Sequence, residues 1–261
     1  MVTMLTELLE YRHLLYMLAW RDIKIRYKQS AMGFLWAILM PGLIITAGVL
    51  VRYAFSMGSG HPFKLSDLAS VSLKSAPWAF FVGSIRFATG SLTGNSNLVT
   101  KIYFPREVFP LSAVLAALFD FAVASGVILL VLIAARVGVS LELLWMPLIL
   151  LLLVLLTAGL GMFLACANVF FRDVKYLVEI FLTFGILFTP VFYEARMFGK
   201  WAPILLLNPV GAILEAMNNV VVLHRPPQML WLSYAACWSL GGSVVAWRIF
   251  DKAEASFAEI V

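Results

Sequence analysis

The chain has 261 residues, of which 62% are hydrophobic and 13% are charged. An ordinary soluble domain is about half apolar and about a quarter charged. This composition therefore argues against a cytosolic enzyme, a disordered protein and a nucleic-acid-binding domain. The excess of apolar residues predicts an all-α protein in the bilayer, and the net charge of +5 is read first as a sign of membrane orientation.

Six stretches of the chain are predicted to be transmembrane helices, each of which needs about 20 mostly apolar residues. Three of them contain the uncharged runs 29–51, 143–171 and 226–247, and the other three are interrupted by charged side chains. An even number of spans places both termini on the same side of the membrane. The predicted spans cover about residues 31–54, 75–96, 109–136, 143–169, 174–193 and 228–249.

The distribution of positive charge predicts which side that is. With both termini in the cytoplasm, the cytoplasmic segments hold eleven of the 19 Lys and Arg residues and the opposite side holds six. Cytoplasmic loops carry an excess of Lys and Arg, so this bias favours N-in and C-in. The predicted location is the inner (plasma) membrane.

The N-terminal residues 1–30 precede the first span and are predicted to form an amphipathic helix along the cytoplasmic interface. One face carries apolar and aromatic residues at spacings i, i+3 and i+7: Trp20, Ile23 and Tyr27. A neighbouring face carries cations at the same spacings: Arg21, Lys24 and Lys28. The same stretch also alternates with period two, so a strand is an alternative, but the apolar run before it favours the helix.

Residues 194–227, between spans 5 and 6, do not have the pattern of a plain loop. The apolar part, 201–214, is too short to cross the membrane and is interrupted by Pro203 and by the Asn208–Pro209 step. We predict a re-entrant or interfacial helical hairpin on the outer side. The alternative is a shifted assignment in which part of this stretch is a span.

Two charged residues stand out deep inside predicted spans, Arg86 in span 2 and Asp120 in span 3. At 1.5 Å per residue, both lie about 16 to 18 Å from the cytoplasmic side. A lone charge at that depth costs several kcal/mol, so we predict an intramembrane pair between Arg86 and Asp120. A role in gating or substrate contact is the alternative.

Sequence motifs for catalysis are missing. The chain has no Gly-x-x-x-x-Gly-Lys-Ser/Thr loop for ATP phosphates, no paired-His zinc motif and no Asp-x-Asp cluster. We therefore predict no catalytic residues, no metal and no cofactor bound by this chain.

Four motifs resemble the polysaccharide-export permeases of ABC transporters, which export lipid-linked O-antigen, capsule or teichoic acid. The first is RDIKIRYKQS at 21–30, followed by Gly33 and Trp36. The second is NLVTKIYFPREVFPL at 97–111, and the third is NVFFRDV at 168–174. The fourth is TPV at 189–191, followed by Asn208–Pro209. The motifs occur in the order and spacing of that family and together cover nearly the whole chain.

The resemblance implies a half-transporter. Two copies would form the pore, and two copies of a separate ATP-binding subunit, which uses ATP and Mg²⁺, would drive it. The N-terminal helix and the coupling segment 95–108 would contact that ATPase, and Arg172–Asp173 would form either a second contact or only the cap of span 5. The candidate coupling residues are Arg21, Asp22, Lys24, Arg26, Lys28, Lys101, Tyr103, Phe104, Pro105, Arg106, Glu107, Arg172 and Asp173.

The resemblance also implies that spans 1 and 5 line the channel, where aromatic rings can stack on sugars. Phe184 and Phe188 share one helical face, and we expect Phe192 to continue it. Packing against lipid, or a place in an aromatic belt, is an alternative for each ring. The candidate lining residues are Phe34, Trp36, Tyr53, Phe184, Phe188, Phe192 and Tyr193.

The sequence therefore predicts a homodimeric permease that moves a lipid-linked polysaccharide, O-antigen above all, outward. Its predicted partners are a second copy, the ATPase, membrane lipid and the glycan, with no nucleic acid. The alternatives are an ABC exporter of a drug or lipid, a membrane-embedded enzyme of glycan or lipid metabolism, and an ATP-independent carrier.

Overall fold

The computed structural model of the protein describes residues 10–28, 35–59, 63–101 and 105–260. Within these ranges every regular element is a helix and no strand is present. The prediction of an all-α protein is confirmed, and the strand alternative for residues 21–28 is wrong.

Ten α-helices, numbered along the chain, are present in the described ranges. They are α1 Arg12–Lys28, α2 Leu35–Ser59, α3 Leu65–Gly94, α4 Ser96–Lys101, α5 Val108–Ala134, α6 Met146–Phe170, α7 Val174–Phe188, α8 Ala202–Leu206, α9 Pro209–Val221 and α10 Met229–Ile260. Short 3₁₀ helices, Leu141–Trp145 and Ala195–Trp201, precede α6 and α8.

Four helical segments among the described residues are long and apolar enough to cross a membrane: Ile38–Met57, Val108–Ala134, Leu141–Phe170 and Met229–Glu254. They coincide with predicted spans 1, 3, 4 and 6. Helices α3 and α7 occupy the positions of spans 2 and 5. Helix α7 has 15 residues, which is about 22 Å of helix against a hydrocarbon core of about 30 Å. Spans 2 and 5 therefore stay predictions.

Two helix boundaries differ from the predicted spans for local reasons. Helix α3 begins at Leu65, before the predicted residue 75, where the backbone N–H of Lys64 donates to the Asp67 carboxylate at 3.0 Å. Helix α7 ends at Phe188 rather than at 193. Thr189 is extended because the ring of Pro190 disfavours helical backbone in the preceding residue.

The stretch 194–227 is mostly helical. A break between two helices occurs at only one of the two proline positions that were predicted to interrupt it. Asn208 caps α9 by accepting a hydrogen bond from the backbone N–H of Val210 at 3.1 Å. Pro203 does not interrupt a helix; it lies in the first turn of α8, where a missing N–H costs nothing. Nearly all of α9 is buried, against α3, α6 and α10.

Two hydrophobic clusters hold the helices together. The larger one joins the middle of α3, α5 and α6 to α9 and α10. The smaller one gathers Leu18 of α1, Val108 at the start of α5, Cys166 near the end of α6 and Phe257 in α10. One end of the molecule therefore collects both the N-terminal helix and the last turns of α10.

Candidate functional site

Arg86 of α3 is paired with Glu179 of α7. Its Nε and Nη2 atoms donate to the two carboxylate oxygens at 2.6 and 2.8 Å, a bidentate arrangement that is among the stronger hydrogen-bonded ion pairs. Each side chain is 44% exposed in the single chain. Glu179 is therefore the carboxylate partner of Arg86.

Asp120 of α5 is paired with α1 instead. Its carboxylate accepts from the guanidinium of Arg26 and from the hydroxyl of Tyr27. The Arg26 guanidinium also lies 4.3 Å from the ring centre of Phe87. Among the described residues no ion pair joins Arg86 to Asp120, so the predicted pair is wrong.

The reason lies in the direction in which each residue faces. Helices α3 and α5 pack through small buried residues, among them Ala88, Ala113 and Ala117. Arg86 is turned towards α7 and Asp120 towards α1. Equal depth in the membrane fixes the height of a charge but not its direction around the helix.

Helix α1 packs along α5. The hydroxyl of Ser112 lies 3.5 Å from Asp22, and Asp120, two turns later on α5, contacts Arg26, one turn later on α1. The two helices therefore run in the same sense. Burial and the neighbouring Asp120 raise the pKa of Tyr27 above its ordinary value, so its hydroxyl stays protonated and donates to that carboxylate.

A cavity of about 350 Å³ lies among α1, α2, α3 and α5. Its wall is formed largely by apolar side chains, including Trp36, Met40 and Phe121, and both Arg86 and Asp120 reach it. The cavity size lies within the range of small-molecule sites, about 300–1,000 Å³. It can accommodate an apolar chain whose polar end lies beside the charged residues.

The candidate coupling surface is divided in two by the structure. Lys24, Lys28, Arg172 and Asp173 are exposed, and Arg21 pairs with the adjacent Asp22 at 2.9 Å. Other members that the structure describes, Arg26, Arg106 and Glu107, contact other helices or are buried.

Arg26 and Glu107 are wrongly assigned to this surface. Arg26 is turned inward to Asp120, and Glu107 is buried at the start of α5. A buried carboxylate there belongs to the packing of the helix ends. Arg106, beside the half-buried Pro105, uses its backbone N–H to donate to Glu254 Oε1 at 2.9 Å, so it contacts α10.

Some of the predicted residues lie outside the described residues. These are Phe34, Tyr103, Phe104 and the side chain of Lys101.

The candidate lining aromatics have different environments. Trp36, Tyr53, Phe184 and Phe188 are exposed on α2 and α7. The expected continuation of the α7 stripe to Phe192 is wrong, because the helix ends first and Phe192 is buried.

Tyr193, beyond the same helix end, is half-buried. Its hydroxyl donates to the carbonyl of Leu187 at 2.8 Å, and its ring packs on Phe198 at 4.9 Å. Tyr193 therefore orders the turn after α7.

The structure contains a buried ion pair that no sequence motif indicates. Lys74 of α3 is fully buried; its ammonium group donates to the carbonyl of Tyr193 at 2.6 Å and lies 3.5 Å from Glu215 Oε2 of α9. The sequence offers two signals of this pair: a lysine at the edge of an apolar run and a single glutamate in α9. Three separate parts of the chain meet at this pair.

The two halves of the fourth motif also meet. The side-chain amide of Asn208 donates to Thr189 Oγ1 at 2.9 Å, and a Cβ atom on Gly211 would lie 2.9 Å from the ring of Pro190. The end of α7 and the start of α9 are therefore in direct contact.

Comparison with known proteins shows which protein family the chain matches. Within the described residues no group of three or more His, Cys, Asp or Glu side chains could hold a metal ion. The model of the ABC-2 type transporter family matches residues 13–222.

Two relatives are similar over most or all of their length. The chain is 29% identical to the O-antigen export system permease protein RfbA of Myxococcus xanthus, over 100% of both chains. It is 28% identical to the O-antigen export system permease protein RfbA of Klebsiella pneumoniae, over 92% of both chains. The family match covers most of the chain and includes α1, the charged pairs and α9. The chain therefore belongs to the ABC-2 type transporter family.

Proposed function

We propose that the chain is the permease subunit of an ATP-driven exporter that moves a lipid-linked O-antigen polysaccharide outward across the inner membrane. The observation that carries this proposal is the full-length similarity to a permease named for O-antigen export. A match over all of both chains covers the transport domain as a whole.

The proposed topology has six spans with both termini in the cytoplasm. Its support is the excess of Lys and Arg in the segments that would then be cytoplasmic. The smaller hydrophobic cluster also supports it, because the N-terminal helix and the last turns of α10 meet at one end of the molecule. On this topology α8 and α9 form the outer hairpin, and α1 lies at the cytoplasmic side.

ATP hydrolysis is assigned to a separate ATP-binding subunit, since this chain has no phosphate-binding loop of its own. The proposed assembly is a homodimer of this chain with two copies of that subunit. The proposed docking surface is formed by exposed residues at the cytoplasmic end: Lys24, Lys28, Arg172 and Asp173.

The proposed channel lies between the two copies of the chain. Phe184 and Phe188 of α7 project from the same exposed face, at spacing i and i+4, and would meet the second copy or the glycan. Aromatic rings suit this task because they offer a broad apolar surface to the C–H face of a sugar.

Gene deletion with complementation tests the proposed function. Loss of an exporter should stop O-antigen display at the cell surface while lipid-linked O-antigen accumulates inside the cell. Loss of a biosynthetic enzyme would instead stop synthesis, so no polymer would accumulate. Normal O-antigen display after deletion would contradict the proposal, and so would absence of the polymer from both compartments.

The ATPase subunit provides the second arm of that experiment. A catalytically inactive ATPase should give the same internal accumulation as deletion of this chain. Export that continues with the inactive ATPase would indicate an ATP-independent carrier.

A further inference from the structure

A second cavity lies far from the charged pairs of α1 and α7. It has a volume of about 400 Å³ and is bounded by the 3₁₀ helix before α8, by α8 and α9, and by the loop and first turn that lead into α10. Its volume falls within the range of about 300–1,000 Å³ that is usual for small-molecule sites. Nothing in the proposed transport mechanism uses it.

The side chains around this cavity are unusual for an apolar protein. Six polar or aromatic residues contribute to its wall: Arg196, Glu215, Asn219, Arg225, Gln228 and Trp231. Amides and guanidinium groups provide several donors and acceptors with fixed planar geometry. An indole ring provides a flat apolar surface with one polar edge.

Two of the three charged side chains in the wall are compensated, and the third, Arg225, is exposed to solvent. Arg196 pairs with Glu194, and Glu215 pairs with the buried Lys74. The site therefore suits a neutral ligand with many hydroxyl groups better than it suits an anion. A pyranose ring has those hydroxyl groups on its edge and a C–H surface on its face, which match the amides and the indole.

The cavity has a rigid floor. Glu215 is buried, and Lys74 joins it to α3 and to the backbone of Tyr193. On the opposite wall, Trp231 packs edge-on against Tyr234, whose hydroxyl donates to the carbonyl of Leu207 at 2.7 Å. A preorganised wall loses little entropy when a ligand binds.

We infer that this cavity is a carbohydrate-binding site that takes a neutral sugar unit of the exported glycan on the outer face of the permease. The inference rests on the proposed function, because the proposed topology places the cavity on the outer side. Trp231 stacks on the sugar face, and Asn219, Arg225 and Gln228 bind its hydroxyl groups.

A binding titration tests the inference directly. The purified permease–ATPase complex is titrated with delipidated O-polysaccharide from the host strain, and binding is followed by calorimetry. Trp231→Ala and Gln228→Ala should each raise the Kd at least tenfold. Trp238→Ala, which removes an exposed indole from the same helix outside the cavity, should leave the Kd unchanged.

The possible results distinguish failure of the inferred sugar site from failure of the proposed export function. Unchanged affinity in Trp231→Ala and Gln228→Ala, with unfolding temperatures equal to wild type, would overturn the inference, and so would absence of binding to the wild-type complex. Gln228 is exposed, so its replacement keeps the test decisive if Trp231→Ala unfolds. Gene deletion tests the proposed function separately, and the titration decides the site whatever that deletion shows.

Discussion

The guanidinium of Arg86 and the carboxylate of Glu179 form two parallel hydrogen bonds, at 2.6 and 2.8 Å, which join α3 to α7. Few other polar contacts reach α7, whose opposite face is largely exposed. The pair therefore controls how the helix that carries Phe184 and Phe188 sits against the rest of the chain.

Replacing either partner should destabilise the protein, and replacing both should cost less than the sum of the two. Arg86→Ala leaves Glu179 without its cation, and Glu179→Ala leaves Arg86 without its carboxylate. We expect a coupling energy of about 1 kcal/mol from a double-mutant cycle. Thermal unfolding in detergent measures it.

The control double-mutant cycle combines Arg86 with Asp120, the partner that was predicted from equal depth along the two spans. Arg86→Ala and Asp120→Ala should have additive effects, because each residue bonds to a different helix. Mutual rescue between these two substitutions would mean that the pairing described here is incorrect.

Tyr27→Phe should lower stability by about 1 kcal/mol at neutral pH, since it removes one hydrogen bond to Asp120. Because the pKa of Tyr27 is raised in the folded protein, the stability difference between wild type and Tyr27→Phe depends on pH. The folded state keeps the phenol protonated, whereas the unfolded chain ionises near pH 10, its usual value. The advantage of wild type is therefore complete below about pH 10 and lost as the pH rises further.

Denaturation of both proteins between pH 7 and pH 11 measures this difference. Other alkaline groups titrate equally in both proteins, so the comparison isolates Tyr27. A wild-type advantage that grows above pH 10 would contradict the assignment.

Breaking the buried pair of Lys74 and Glu215 should be costly. Lys74→Met leaves the Glu215 carboxylate buried without its cation, and we expect a loss of about 3–5 kcal/mol. The double variant Lys74→Met, Glu215→Gln should recover most of that loss because no uncompensated charge remains. Yield of folded protein and unfolding temperature are the measurements.

Lys64→Met is the comparison for this pair. Lys64 is exposed one residue before α3, so its replacement removes the same charge without a buried partner. An effect as large as that of Lys74→Met would show that charge, and not the buried pair, is responsible.

Gly48 is predicted to be essential to the packing of α2. A Cβ atom there would lie 2.5 Å from Val71 Cγ1 and 2.6 Å from Phe192 Cδ1. We expect Gly48→Ala to cost about 1–3 kcal/mol through overpacking. Gly42→Ala in the same helix meets no atom within 4 Å, so it should be neutral or stabilising by up to about 1 kcal/mol.

The proposed docking surface predicts a loss of partner binding. Lys24→Glu and Arg172→Glu reverse the charge of exposed side chains and should reduce co-purification of the ATPase at least tenfold. Arg225→Glu, at the opposite end on the proposed topology, should not change it. Equal recovery of the ATPase with all three variants would exclude this surface.

Several elements could be predicted from the sequence because they depend on local patterns. Uncharged runs located spans 1, 4 and 6, span 3 was apolar enough to be predicted despite Asp120, and the apolar run before Arg21 correctly favoured a helix over a strand. The Asn208–Pro209 step was predicted to interrupt the apolar stretch, and the interruption is the start of α9, where Asn208 is the cap and Pro209 the first residue.

The site contacts depend on how helices face one another, and a single sequence does not encode that locally. In the sequence Glu179 is simply a charge near the start of span 5, without a motif, yet it is the partner of Arg86. Lys74 and Glu215 are far apart in the chain, and neither has a motif. Arg26 and Lys24 are both cations of α1, but Arg26 is turned towards α5 whereas Lys24 is exposed.

The pairing of Lys74 with Glu215 also bears on how the protein is made. Synthesis and insertion proceed from the N-terminus, so α3 is in place long before α9 leaves the ribosome. Until then the ammonium group of Lys74 has no carboxylate from α9 and must reach the polar headgroups along its flexible stem. Helix α9 therefore docks onto α3 only late in synthesis, and a chain truncated before Glu215 should be recognised by quality-control proteases as unfinished.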